Sequence, residues 1–152
     1  MERSVLQAVL ARLEYVGLRP TATRRRLVEI LARAAAPLTV PEIISAGTSG
    51  PAPVHIPASS AYRNIVHLER AGVVRRIVTS DLHARFELSE TLTGDHHHHL
   101  VCTRCGRVSD IALPDQLEAA LEGTIDRIGR DLDFDVTEHR LDLVGACRDC
   151  RR

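Results

Sequence analysis

Residues 59–88 read SSAYRNIVHLERAGVVRRIVTSDLHARFEL, and the periodicity of the chain changes inside this stretch. From Ser59, a capping hydroxyl, to Ala71 the apolar residues Ile65, Val66 and Leu68 fall at helical spacing. Tyr62, Arg63, Asn64 and His67 present polar groups, and Gly72 ends the helix. Val73–Val78 and Ala84–Leu88 then read as β-strands joined by the turn-forming Thr79, Ser80 and Asp81. A polar-faced helix followed by a hairpin is the pattern of a winged helix-turn-helix, whose helix enters the major groove while the hairpin lies along the backbone. A generic helical domain with a β-arm is the alternative.

Upstream, Val5, Leu6, Val9, Leu10, Leu13 and Val16 mark a first helix stopped at Gly17. Leu27, Ile30 and Leu31 mark a second that starts near Thr21 or Thr23, and Thr39–Ala46 is expected as a short third with Thr39 as its cap. Gly47–Pro57 carries two Gly and three Pro and is expected as loop. Downstream, Ser89–Gly94 reads as a hinge, His99–Cys102, Val108–Ile111 and Phe134–Val144 as strands, and Pro114–Ile128 as a helix with Pro at its first turn. The expectation is an α+β chain with a winged-helix DNA-binding domain over 1–88, a hinge over 89–94 and a small dimerisation and metal-binding domain over 95–152. A unit of that size buries little core, so a metal staple or a dimer is expected.

The charge follows the same division. The chain has 152 residues and no net charge, yet residues 1–88 hold 12 Arg against 7 acids and residues 89–152 hold 8 Arg against 13 acids. The basic part suits a polyanion, although two ordinary solvated surfaces give the same count. Aromatic residues make up 3% and Trp is absent, which disfavours base stacking on an RNA-recognition sheet. No apolar run reaches the length of a membrane span and no signal-peptide core forms at the start, so a cytoplasmic location with no membrane partner is expected.

All four cysteines stand in two C-x-x-C pairs, Cys102/Cys105 and Cys147/Cys150. Two such turns close a tetrahedral zinc site with no open position, which is structural and not catalytic. Disulfides are the competing reading, and a cytoplasmic chain argues against them. Just upstream, His96, His97, His98 and His99 alternate between faces if extended, sending His96 and His98 one way and His97 and His99 the other. One strand can then serve two metal sites, the alternative being a solvated strand end.

The string Gly94-Asp95-His96-His97-His98-His99-Leu100-Val101-Cys102-Thr103-Arg104-Cys105-Gly106 resembles the signature of the ferric-uptake-regulator family of bacterial metal-sensing repressors. Leu18-Arg19-Pro20-Thr21, Ser60-Ala61-Tyr62-Arg63, Ala71-Gly72-Val73-Val74, Arg85-Phe86-Glu87-Leu88 and His139 follow in family order, so the likeness spans nearly the whole chain. The resemblance implies a structural zinc site at Cys102, Cys105, Cys147 and Cys150, and a regulatory site between the domains at Glu87, His97 and His99. It implies a second site at His96, His98, Glu118 and His139, and DNA contacts from Arg19, Ser60, Tyr62 and Arg63.

Two departures from the family pattern bear on the metal. Where iron and peroxide sensors supply a histidine before the third helix, this chain has Pro37 and Leu38, which leaves His83 or a water as the further ligand of the regulatory site. No cysteine remains for that site, as zinc sensors commonly place there, whereas His98 stands where iron sensors more often have Asp and favours zinc. The expected function is a homodimeric, metal-dependent repressor of metal-uptake genes acting on palindromic operator DNA, with no small-molecule substrate. Its structural ion is Zn²⁺ and its regulatory ion Zn²⁺ or Fe²⁺, zinc being preferred. The alternatives are an iron, other divalent-metal or peroxide regulator of the same family and, more remotely, a metal carrier or zinc enzyme.

Overall fold

In a computed structural model of the chain, residues 2–49, 53–79 and 83–151 are described. The elements run α1 (Glu2–Tyr15), α2 (Ala22–Arg33), β1 (Leu38–Thr39), α3 (Val40–Ser49), α4 (Ala58–Arg70), β2 (Val74–Val78), β3 (Ala84–Leu88), α5 (Glu90–Thr93), β4 (His98–Cys102), β5 (Val108–Ile111), α6 (Asp115–Leu132) and β6 (Asp142–Gly145). Two three-stranded sheets result, ordered β1-β3-β2 and β5-β4-β6.

The helical part is built on the expected apolar stripes. Val5, Val9 and Leu13 of α1, Leu27, Ile30 and Leu31 of α2, Ile43 of α3, and Ile65 and Leu68 of α4 are buried in one cluster with Val73, Phe86 and Leu88 of the adjoining hairpin. Thr21 caps α2 through its hydroxyl, which accepts from the Arg24 amide at 3.3 Å. Thr39 and Glu42 form a reciprocal capping pair at α3: the Glu42 carboxylate accepts from the Thr39 amide at 2.7 Å, and the Thr39 hydroxyl accepts from the Glu42 amide at 3.4 Å. Thr39 also belongs to β1, pairing with Arg85, and this short strand was not expected.

Other boundaries differ from the expectation for local reasons. The third helix runs on to Ser49, shortening the Gly47–Pro57 loop; Gly47 takes the amide of Val54 on its carbonyl at 2.9 Å. Ser59 does not cap α4. Pro57 is the cap, its extended backbone presetting the turn with no side-chain bond. The hinge contains the one-turn helix α5, closed by Gly94 in the left-handed region at φ 75°. Of the strand expected over Phe134–Val144, only the end is β6, Asp142–Gly145. The turn residues Ser80 and Asp81 lie outside the described residues.

The second sheet carries far less core. Val101 and Val108 pack with Ile77 of β2, and apolar side chains along α6 and β6, among them Leu117, Ile128, Leu132, Leu143 and Val144, stand exposed in the single chain. Among the described residues, no helix is long and apolar enough to cross a membrane.

Candidate metal centres

Three clusters of metal-ligating side chains form, each with donor atoms within 4.8 Å of one another: Cys102/Cys105/Cys147/Cys150, His96/His98/Glu118/His139 and Glu87/His97/His99/Asp110.

The cysteine cluster is assembled by two turns tied back to back. Cys102 ends β4 and its turn closes through the Gly106 amide on the Cys102 carbonyl at 3.0 Å; the second turn closes through the Cys150 amide on the Cys147 carbonyl at 3.0 Å. The Thr103 amide bonds the Gly145 carbonyl at 2.8 Å, and the Arg104 guanidinium bonds the Cys150 carbonyl at 2.7 Å, so each turn holds the other. Cys105 Sγ and Cys147 Sγ are 3.8 Å apart. That is far beyond a disulfide bond, and it matches the edge of a ZnS₄ tetrahedron, about 3.8 Å for Zn–S near 2.3 Å. Backbone amides of Cys147, Cys105 and Arg104 draw the Cys102 thiol down to about 6, whereas the crowding sulfurs, Cys147 first, push Cys150 up to about 12. The first thiolate forms easily and the last is opposed by those already there, a conflict that a dication relieves.

The four histidines separate by face as the alternation requires. His98 and His99 are fully buried on opposite sides of β4, with Leu100 exposed beyond them. On one side, Glu118 of α6 lies among imidazoles: its Oε1 is 3.1 Å from His96 Nε2 and 2.9 Å from His139 Nε2, and its Oε2 is 3.0 Å from His98 Nε2. His98 first, then the charges of His96 and His139, hold the Glu118 carboxyl below its ordinary value.

On the other side, Glu87 of β3 reaches across from the first sheet. Its Oε2 lies 3.2 Å from His97 Nε2 and 3.3 Å from His99 Nε2. Burial by itself would raise the Glu87 carboxyl, but hydrogen bonds from His99 and from Arg75, whose Nε donates to Oε1 at 2.8 Å, bring it to about 2. His97 moves the other way. Burial opposes its proton, yet Glu87 and the Asp95 carbonyl raise it above the ordinary imidazole value.

The fourth member of this cluster is Asp110 of β5, 3.9 Å from His99 Nε2. His83 is not in the cluster; it lines a recess with Tyr62, Arg76 and Phe86. Asp110 was missed, although the C-x-x-C turn between β4 and β5 sets the register that pairs His99 with Asp110. A second recess beside the cluster is lined by Ala34, Ala36, Glu87, His97 and Asp110, so the connection before α3 offers only alanines there.

The fit of these clusters to ions rests on their imidazoles. His96 donates Nδ1 to Glu90 at 2.7 Å, His97 Nδ1 lies 3.2 Å from the Asp95 carbonyl, and His99 Nδ1 lies 3.3 Å from Asp142. In these three rings the Nδ1 is anchored outside and Nε2 faces the cluster centre, the arrangement of metal-binding imidazoles, whereas His98 Nδ1 is buried without a hydrogen-bond partner among the described residues.

Among the residues expected on DNA, Tyr62 is 53% exposed and Arg63 is exposed, both on the outer face of α4. Ser60 is half-buried with its hydroxyl 3.3 Å from Asn64 Nδ2, and Arg19 is exposed in the turn before α2. Arg24 of α2 links that turn to α4, donating to the Arg19 carbonyl at 2.6 Å and meeting His67 Nδ1 at 3.0 Å.

A family model described as the Ferric uptake regulator family matches residues 15–144. The peroxide-responsive repressor PerR of Staphylococcus aureus (strain Mu50 / ATCC 700699) is 28% identical over 147 residues, covering 96% of this chain and 91% of that protein. The solved structure of the Vibrio cholerae ferric uptake regulator Fur is similar with a TM-score of 0.68 at 28% identity, over 89% of this chain and 96% of that one. That of the Helicobacter pylori ferric uptake regulator Fur gives 0.70 at 22% identity, over 97% and 94%. The chain belongs to the ferric uptake regulator family.

Proposed function

We propose that this chain is a homodimeric, metal-activated transcriptional repressor of metal-uptake genes acting on palindromic operator DNA. Residues 1–88 form its DNA-binding unit, 89–94 the link and 95–152 the dimerisation and metal-binding unit. One observation carries the reading: Glu87 belongs to the sheet of the winged helix, while His97, His99 and Asp110 belong to or adjoin the second sheet, so an ion at this cluster is bonded to both units at once. Such an ion restricts the angle between the units, and metal and operator then select the same conformer and strengthen each other's binding.

The other centres follow from their donors. Four thiolates fill a tetrahedron and leave no position for substrate, so Cys102, Cys105, Cys147 and Cys150 hold Zn²⁺ as a structural element. His96, His98, Glu118 and His139 form a second site with three imidazoles and one carboxylate, a set that suits zinc. The exposed apolar residues of α6 and β6 support a partner protomer covering them. Tyr62 and Arg63 on α4 face outward as a groove-reading pair, with Ser60 beside them and Arg19 placed for a phosphate. As a member of this family the chain is a regulator and not an enzyme.

Zinc is the effector we prefer, on the strength of His98. Iron(II) is a second reading, carried by Asp110: the interdomain set is then two imidazoles and two carboxylates with no thiolate. A gel shift with DNA from the promoter region of the protein's own gene, run with Zn²⁺, with anaerobic Fe²⁺ and with a chelator, tests all of this. A shift with Zn²⁺ that the chelator reverses is expected. A shift with Fe²⁺ alone would move the effector to iron, and metal binding without any metal-dependent shift would make the chain a carrier.

A further inference from the structure

Glu90, the first residue of α5, lies between the two histidine clusters and touches both. Its Oε2 is 2.7 Å from His96 Nδ1, and its Oε1 is 2.7 Å from the Arg75 guanidinium. Arg75 Nε donates to Glu87 Oε1 at 2.8 Å, which leaves Glu87 Oε2 turned toward His97 and His99. A single carboxylate therefore anchors an imidazole of the second cluster and, through one guanidinium, the carboxylate of the interdomain cluster. Glu90 and Arg75 side chains are both largely shielded, at 18% and 16% exposure, so these contacts are not ordinary solvated surface pairs.

We propose that Glu90 is a positioning residue that couples the two sites, so that an ion held by His96, His98, Glu118 and His139 strengthens binding at Glu87, His97, His99 and Asp110. The proposal rests on reading both clusters as metal sites. The physical basis is ordering. An ion on His96 Nε2 fixes the ring and strengthens its Nδ1–H as a donor, which pins Glu90. The pinned Glu90 holds Arg75 Nη2, the nitrogen that together with Nε meets Glu87 Oε1, and Arg75 then keeps Glu87 Oε1 occupied with Oε2 aimed at the second ion. Glu and Arg have among the largest rotamer freedoms of any side chains, so the site filled second no longer bears that ordering cost.

Coupling could also run along the backbone, because the four histidines are consecutive. Glu90→Gln separates the two routes. The glutamine has nearly the same shape, but it carries no charge and one arm is a donor, so it cannot keep both the ion pair with Arg75 and the bond from His96.

The test uses the full chain with its structural zinc and Co²⁺ as the probe, reading affinity at the interdomain site from the ligand-field absorption under chelator competition. In the parent background, breaking the second site with His139→Ala should weaken interdomain Co²⁺ binding about fivefold or more. In the Glu90→Gln background, the same His139→Ala change should leave that affinity within about twofold, the signature of a lost coupling. Arg75→Leu cuts the guanidinium link and should reduce the dependence, leaving only the 3.7 Å contact between Glu90 Oε1 and His97 Nδ1. The proposal is overturned if His139→Ala has the same effect with and without Glu90→Gln or Arg75→Leu, or no effect in the parent. Failure of the underlying reading looks different: a His97→Ala chain would then bind as many Co²⁺ ions as the parent, and the proposal would fall with it.

Discussion

Removal of zinc from the cysteine cluster should unfold one part of the molecule and spare the other. The helical part buries a contiguous cluster that includes Val9, Leu13, Leu27, Ile43, Ile65, Leu68 and Val73, each at 1% exposure or less. The second sheet contributes only Val101 and Val108 to a cluster, together with Ile77 from the wing. Two buried valines stabilise by about 3–6 kcal/mol in all. A structural zinc bound by thiolates contributes roughly 10–16 kcal/mol. The ion outweighs the apolar core of this part by a factor of about two to five. Hydrogen exchange read by mass spectrometry on the zinc-loaded protein and on protein stripped with a mercurial and a chelator is the assay. Peptides covering His98–Cys102, Val108–Ile111 and Asp142–Gly145 should lose protection on stripping, while those covering Ala22–Arg33 and Ala58–Arg70 keep theirs. Unchanged protection of β4 and β6 after demonstrated loss of zinc would refute the reasoning, because the sheet would then have a source of stability that its two valines do not supply.

Other outcomes follow from the clusters and from α4. Glu87→Gln should be pH-selective in protein lacking the interdomain ion. The Glu87 carboxyl sits at about 2 against an ordinary 4.5, so its charge stabilises the fold above pH 4.5 and that stability is lost as pH falls toward 2. Urea unfolding should show a deficit on the order of 3 kcal/mol at pH 7 that has fallen to about half by pH 3, and a deficit independent of pH would contradict the assignment. His97→Ala should retain the structural zinc and the dimer yet weaken operator binding at saturating metal; repression equal to the parent without the interdomain ion would remove the regulatory role. Arg63→Ala should lower the slope of log affinity against log salt by about 0.9 per subunit if Arg63 meets a phosphate, or weaken binding by about 1–3 kcal/mol at one base position if it reads guanine. No change in either quantity would take Arg63 off the DNA.

The extent to which the sequence discloses this molecule differs from element to element. The long helices are legible because several apolar residues recur at one period, as in Val5, Val9 and Leu13, and because Thr21 and Gly17 punctuate them. The short strand β1 is not, since Leu38–Thr39 has too few residues to show alternation and exists only by pairing with Phe86 and Arg85 of the wing. Nor is α5 legible: four residues carry no period, and Gly94 is as consistent with a bend as with a helix end. The stretch from Phe134 to Arg140 has strand-like composition but no strand beside it among the described residues, because contact with β4 begins only where the Leu141 carbonyl accepts the His99 amide at 3.3 Å and β6 pairs from Asp142 onward.

At the sites, alternation along His96–His99 gives the two faces and C-x-x-C gives the third cluster. Asp110 requires knowing that β4 and β5 are adjacent and in what register, which is a tertiary fact. For His83 the reverse holds, since nearness in sequence to Glu87 did not bring it to the cluster. Arg75 and Glu90 carry no motif at all, and their roles appear only once β2 lies beside β3 and α5 turns back beneath His96.

The central claim is that the interdomain ion and the operator favour one conformer, and linkage makes this measurable from the side of the metal. If each ion tightens DNA binding by some factor, DNA must tighten the binding of that ion by the same factor. The measurement is the affinity of the His97/His99/Glu87/Asp110 site for Zn²⁺, by chelator competition, with and without saturating operator duplex. The account predicts that the duplex raises the affinity of each site about 5-fold to 150-fold, and that Zn²⁺ raises operator affinity by the product of that ratio over the two sites of the dimer. A Zn²⁺ affinity unchanged by DNA, in protein that still binds the duplex, would contradict it.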